Sequence, residues 1–250
     1  MNRAKSADRA WRCPAPNPGA RVRLLCFAHA GAAASVFRPW TELLPPWIEL
    51  HAAQLPGRED RWGEPAQTTM TGVVADLLPG LTALADRPTV LFGHSLGATI
   101  AYEAAYALGS AGHLVVSGKE TPYQHQRDSF HTAPDAELAA EVARLRGARP
   151  TSMAALGGDY LLPILRADYA VNETYLPVMG RERLACPITA LTGVDDGELT
   201  SAHVHAWAGY TRAEFRAVFV PGDHFHVFDH PAATIAAITT AAAALAEGTA

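Results

Sequence analysis

Ser95, the acid pair Asp195 and Asp196, and His224 follow one another along the chain in the order of an acyl-transfer triad. A serine hydroxyl attacks a carbonyl only when a base takes its proton, and an imidazole base works best with a carboxylate holding its tautomer. Ser95 sits in Gly93-His94-Ser95-Leu96-Gly97, at the end of the apolar run Thr89 to Phe92. Gly-x-Ser-x-Gly between a strand and a helix reads as a nucleophile elbow, a sharp turn whose flanking glycines remove side chains that would collide. The turn leaves the serine at a helix N-terminus, where the Leu96 backbone N–H points to where a tetrahedral oxyanion would form. A second donor is expected from the loop after an early strand. Ala28-His29-Ala30-Gly31-Ala32 follows Arg23 to Phe27, and its small residues make the Ala30 N–H the candidate. An ordinary tight loop feeding a helix over Val36 to Leu44 would read the same way.

The elements that must position these groups are legible in the same stretches. Leu96 to Leu108 is long enough for a packed helix after the elbow. Cys186 to Gly193 reads as a strand whose loop carries both Asp195 and Asp196, and nothing local chooses between them. Phe215 to Val220 is a further strand, ending in Pro221-Gly222-Asp223-His224. His224 follows the turn directly, where a strand-end loop leans over a sheet, while His226 falls at the start of the next segment. Strands alternating with helical stretches predict a doubly wound α/β sheet in a single domain. Residues 1–20, rich in proline and charge, are expected to be a flexible tail, and residues 21–250 the domain. Between Gly118 and Pro187 lies an insertion with helical pattern, notably Asp135 to Arg146 and Asp159 to Tyr175. Residues 121–182 are expected to form a helical lid over Ser95; the alternative is that these helices extend the core.

Composition narrows the function. Eleven histidines invite a metal reading, but the pairs His203-x-His205 and His224-x-His226 lack companion ligands at zinc spacing, so no metal site is expected. Cys13, Cys26 and Cys186 do not make a disulfide framework, which suits a reducing cytoplasm. The polar start, Met1 to Arg12, has no signal-peptide core, and no apolar run approaches membrane-spanning length. A net charge of −5 argues against nucleic acid as a partner.

The chain resembles the stand-alone type II thioesterases that accompany modular polyketide synthases and nonribosomal peptide synthetases. The resemblance is carried by Cys26-Phe27-Ala28-His29-Ala30-Gly31, Gln54-Leu55-Pro56-Gly57-Arg58-Glu59, Gly93-His94-Ser95-Leu96-Gly97-Ala98, Leu162-Pro163-Ile164-Leu165-Arg166-Ala167-Asp168-Tyr169, Leu191-Thr192-Gly193 and Gly222-Asp223-His224-Phe225. It implies an α/β-hydrolase fold, with a mostly parallel sheet flanked by helices and a lid insertion. It also implies Ser95 as nucleophile, Asp196 as orienting acid and His224 as base. Gly197 stands where the family often has proline, so Asp195 remains a competitor. Lys119-Glu120-Thr121-Pro122 replaces a family Arg-Arg-Ala-Pro, which withholds the acyl preference.

The implied substrate is an acyl thioester on the phosphopantetheine arm of an acyl or peptidyl carrier protein, cleaved without a cofactor. The implied role is removal of aberrant or stalled acyl groups by a cytoplasmic, monomeric enzyme, with biosynthetic release or starter processing as the alternative. An acidic chain gives no global attraction to an acidic carrier, so docking would use a local basic rim, with Arg58, Arg61, Lys119 and Arg127 as candidates. Two rivals are a carboxylesterase or lipase acting on free esters, and a non-catalytic carrier-binding protein.

Overall fold

The computed structural model describes residues 9–125, 128–145 and 158–247. Short apolar runs become the strands β1 (Trp11–Arg12), β2 (Val22–Phe27), β3 (Ile48–Ala53), β4 (Thr89–His94), β5 (His113–Ser117), β6 (Ile188–Gly193) and β7 (Phe215–Val220). β4 and β6 are buried at every position, as strands covered on both faces must be. Alternate residues feed two separate cores. Leu25, Leu91 and Leu114 face one side, with Val73, Leu77 and Leu81 of helix α1 (Met70–Leu84) and Ile100 of helix α2 (Leu96–Leu108). Leu24, Val90, Phe92 and Val115 face the other, against Phe37 and Trp40 of the 3-10 segment Ala34–Glu42 and Ile235 and Ile238 of the C-terminal helix Pro231–Glu247. This period-two division makes a three-layer molecule.

The sheet order is β1-β3-β2-β4-β5-β6-β7, and only β1 runs antiparallel. From β2 the chain moves outward to β3, then crosses back to place β4 on the other side of β2. The connections therefore diverge at the carboxyl ends of β2 and β4, which is where open α/β sheets leave a binding crevice. Ser95 follows β4 and His29 follows β2, so both lie at that point.

Residues 9–20, read above as part of a flexible tail, are instead held against the sheet; residues 1–8 lie outside the described residues. Trp11 pairs with Ala53 on the sheet edge, packs its ring against Phe27 at 5.5 Å and donates from Nε1 to the Leu77 carbonyl at 3.3 Å. A tryptophan buried to 6% exposure, with its N–H satisfied, anchors the segment that composition alone marked as frayed.

The insertion between β5 and β6 carries helices α3 (Asp135–Leu145) and α4 (Gly158–Glu173), close to the predicted spans; Arg146 lies outside the described residues. Leu138 and Val142 of α3 pack with Leu162 and Leu165 of α4 in a third cluster, distinct from the two that flank the sheet. All three cysteines are free, and among the described residues no helix is long and apolar enough to cross a membrane.

Candidate active site

The elbow is built by contacts too close for side chains. A Cβ on Gly93 would lie 2.0 Å from the Gly97 carbonyl oxygen, and one on Gly97 would lie 2.1 Å from the Phe27 carbonyl oxygen. β4, α2 and the end of β2 can therefore meet only through glycine. Ser95 takes φ 55° and ψ −122°, a strained backbone held in place by its N–H, which donates to the Ser117 carbonyl at 2.8 Å. Strain of this kind persists where the surrounding structure over-determines it, and it lifts the Ser95 side chain into a cavity.

His224 reaches the same cavity from the loop after β7. Its Nδ1 lies 3.0 Å from Asp196 Oδ2, and the Asp196 side chain is fully buried. Asp196 Oδ1 accepts from the Glu198 backbone N–H at 3.0 Å, and Oδ2 is 3.4 Å from Thr192 Oγ1. Burial pushes the Asp196 carboxyl up, but the hydrogen bond and charge of His224, with the Glu198 amide, outweigh it and hold the group below the usual carboxylate range. Asp195 is exposed, and its contribution is through the main chain: its N–H donates to the Gly222 carbonyl at 3.0 Å. That bond ties the acid loop to the histidine loop. The alternative the sequence left open is thus divided by geometry, one aspartate on the imidazole and its neighbour in solvent.

The loop after β2 closes the other side. Ala32 N–H donates to the His29 carbonyl at 3.1 Å, making a turn with Ala30 and Gly31 at its centre and Gly31 at φ 79°. Ala30 and Leu96 both line the cavity, and among the described residues neither of their amides donates to a protein group. The turn is held from outside by residues of two motifs. Gln54 Oε1 accepts from Ala34 N–H at 2.8 Å, and Gln54 Nε2 donates to the Arg58 carbonyl at 3.0 Å. Arg58 donates to the Ala32 carbonyl at 2.8 Å and makes a two-pronged pair with Asp168 at 2.8 and 2.7 Å, while Asp168 also accepts the Gly31 N–H at 2.7 Å.

That arrangement corrects the basic rim expected from sequence. Arg58 is buried to 3% exposure and committed to Asp168. Arg61 is equally buried, bonded to Asp76, Glu64 and the Gln54 carbonyl. Lys119 lines the cavity beside Glu120 at 2.9 Å, and Arg127 lies outside the described residues. Guanidinium groups look solvated in a linear sequence; here they are internal struts.

With this geometry in place, the chain can be set beside known proteins. The family model described as Thioesterase domain matches residues 22–241. The chain belongs to the thioesterase family. The probable cadicidin biosynthesis thioesterase of Streptomyces griseus is 39% identical over 218 residues, covering 84% of this chain and 59% of that longer protein. Gramicidin S biosynthesis protein GrsT of Aneurinibacillus migulanus is 34% identical, covering 85% of this chain and 86% of its own. Among solved structures, the type II thioesterase BorB from the borrelidin biosynthetic cluster superposes with a TM-score of 0.85 at 33% identity, covering 93% and 97% of the two chains. The protein is accordingly a hydrolase, and its mostly parallel sheet with flanking helices is that of the α/β-hydrolase fold.

In this thioesterase the cavity measures about 360 Å³. It is lined by Ser95, Leu96, His224, Ala30 and Gly31 together with Val142, Leu145, Leu161, Leu165 and Tyr169 of the insertion. The insertion thus contributes to the cavity lining, while Val171 of α4 and Tyr175 just after it join the sheet core on the α1–α2 side. Polar groups also enter the cavity, among them Glu120 and His125. Burial pushes the Glu120 carboxyl up, but His125, bonded to it at 2.7 Å, and Lys119 bring it far below the usual range.

Behind His224 the thioesterase has a buried polar chain that the sequence reading passed over. His226, in the short helix His226–Asp229, donates from Nδ1 to the Asp223 carbonyl at 2.9 Å. Its Nε2 must then accept from the Ser117 hydroxyl at 3.2 Å, and Ser117 Oγ accepts in turn from His94 Nδ1 at 3.2 Å. Burial pushes both His94 and His226 down, keeping the pair neutral beside the His224 ring, which lies 5.0 Å from that of His94. His226 was set aside as the residue entering the next segment, and that is its place; its role in holding β5 to the histidine loop needed tertiary information. Elsewhere, Cys13, Glu49 and His51 bring potential ligand atoms within 4.8 Å of one another, but Glu49 is already bonded to the Asn17 N–H, Arg23 and His51.

Proposed function

We propose that this thioesterase hydrolyses acyl thioesters carried on the phosphopantetheine arms of acyl or peptidyl carrier proteins, clearing aberrant or stalled acyl groups from polyketide or nonribosomal peptide assembly in the cytoplasm. The carrying observation is the juxtaposition in one cavity of the strained Ser95, the Asp196-bonded His224 and two undonated amides. The type II relatives support the carrier-bound substrate, and the cavity partly lined by the insertion supports a chain-like acyl group.

In this reading His224 Nε2 removes the Ser95 proton as Oγ bonds to the thioester carbon. The carbonyl π electrons move to oxygen, where the Ala30 and Leu96 amides hold the negative charge. Collapse re-forms the carbonyl and breaks the C–S bond, and the leaving sulfur takes the proton from His224. Water then repeats the sequence on the acyl-serine, its proton passing through His224 to Ser95 Oγ as the acid departs. Asp196, below the usual carboxylate range, stays ionised and holds the Nδ1–H tautomer. No cofactor takes part, a single chain supplies every group, and the insertion acts as the lid over the acyl chain.

The test is hydrolysis of an acylated carrier protein beside a free oxygen ester of the same acyl group. The parent should prefer the carrier-bound thioester, and Ser95→Ala should lose about a millionfold in turnover. Preference for the free ester would instead mark a carboxylesterase, and activity within tenfold of the parent in Ser95→Ala would remove the mechanism.

A further inference from the structure

The buried pair Arg58–Asp168 joins three segments far apart in sequence: the loop after β3, helix α4 of the insertion, and the turn at His29–Ala32. Its contacts on the turn are specific. Asp168 Oδ2 takes the N–H of Gly31, the residue after Ala30, and Arg58 Nη1 donates to the carbonyl of Ala32, the residue after that. The Gly31 N–H belongs to the peptide that follows Ala30 and the Ala32 carbonyl lies two peptides beyond it, while Ala30 lines the cavity and among the described residues its N–H donates to no protein group. A second contact comes from the same helix one turn earlier: a Cβ on Gly31 would meet Leu165 Cδ2 at 2.6 Å, so α4 lies directly on the turn. Side chains three apart share a helix face, which is why Leu165 and Asp168 can grip one glycine together.

We propose that Arg58 and Asp168 are positioning residues for the oxyanion hole, fixing the Ala30 amide where the thioester oxygen gains charge. This rests on the reading of Ala30 as an oxyanion donor given above. A turn with positive φ at its third residue competes with one in which the Ala30–Gly31 peptide is rotated, and the Asp168 bond to the Gly31 N–H favours the first. The carboxylate and the guanidinium do different jobs: one holds the N–H of that peptide, the other holds the Ala32 carbonyl at the end of the turn. An oxyanion donor displaced by about 1 Å costs on the order of a hundredfold in rate without weakening ground-state binding.

The experiment compares Asp168→Asn, Arg58→Lys and the apolar double variant Arg58→Met/Asp168→Leu with the parent. Asn keeps an acceptor for Gly31 but turns an NH₂ toward an Arg58 donor; the double variant removes both charges, so no orphan ion remains to unfold the protein. Each is melted first, and kinetics are run below the lowest transition. Expected in Asp168→Asn and in the double variant is a fall in kcat of about a hundredfold with KM within threefold of the parent. Affinity for a trifluoromethyl ketone acyl analogue, which forms an oxyanion on Ser95, should fall by the same factor, and affinity for the non-hydrolysable amide analogue should not. Arg58→Lys should move in the same direction by less. If kcat recovers in the double variant along with its melting temperature, the pair merely holds the fold and the inference is overturned. It is equally overturned if kcat falls while the ketone binds as tightly as before. Ser95→Ala separates the two levels: should it keep the parent's rate, the reading of the site fails, whereas an inactive Ser95→Ala beside a fully active Asp168→Asn sinks only this inference.

Discussion

Asp196 places Oδ2 3.0 Å from His224 Nδ1, whereas Asp195, its neighbour in sequence, is exposed and reaches the histidine loop through its backbone N–H. Two adjacent carboxylates with opposite surroundings should give opposite results on mutation.

Asp196→Asn presents an NH₂ to Nδ1 and drives the imidazole into the tautomer that cannot take the Ser95 proton. Turnover should fall by roughly ten-thousandfold, with the melting temperature little changed. Asp195→Asn should stay within a few-fold of the parent. Steady-state kinetics on both variants with one acyl-carrier substrate decides the matter, and the reverse ranking would move the acid by one residue.

Stability should fall with acid before the carboxylates titrate. His94, His226, His51 and His113 are all held below the usual histidine value, chiefly by burial, with His113 lowered to about 4. Their unfolded counterparts take up protons near pH 6.5, so below that the unfolded state binds more protons and stability drops. The loss runs from about pH 6.5 down through the folded values and is complete only below them, with His113 alone contributing on the order of 3 kcal/mol. His113→Gln keeps a donor for Thr189 Oγ1, which His113 Nε2 approaches at 2.9 Å, and removes the titration. Thermal melts from pH 7.5 to 4.5 should show a shallower decline in this variant; superimposable slopes would dismiss burial of His113 as a cause.

Leu162 and Leu165 share one cluster on the insertion, but only Leu165 lines the cavity. Leu165→Ala should therefore change the ranking of short, medium and long acyl groups, by about 1–3 kcal/mol in discrimination. Leu162→Ala should cost about 2–5 kcal/mol of stability and leave the ranking parallel to the parent's. An unchanged profile for Leu165→Ala would remove that side chain from the acyl site.

What could be read without coordinates was whatever chemistry imposes on neighbouring residues. Gly93 and Gly97 announced the elbow because the close approach they permit is set within five residues of sequence, and the strands of the sheet showed through their apolar runs. The burial of Arg58 did not show, because its partner Asp168 stands in a helix of the insertion, 110 positions further on. Charge without its counter-charge reads as surface. Trp11 was masked in the same way, by prolines and polar neighbours that said nothing of β3 or Leu77. The choice between Asp195 and Asp196 turned on which way a one-residue step faces, and that depends on how the acid loop packs on the histidine loop, where a Cβ on Gly193 would lie 2.2 Å from the Gly222 carbonyl oxygen. His226 and Ser117 carried no signal that pattern could find, since neither is part of a local motif.

The crossing of Arg58 to Asp168 also sets a rule for anyone recombining such enzymes. Because the insertion lies between β5 and β6 and supplies part of the cavity's lining, exchanging it for another looks like a clean way to import a new acyl preference. A graft of that kind would carry in its own residue opposite Arg58, and a chimaera without a carboxylate there would strand a buried guanidinium and loosen the turn beneath it. Donor segments are therefore best chosen first for an aspartate at that helix position, and only afterwards for the shape of the chamber they bring.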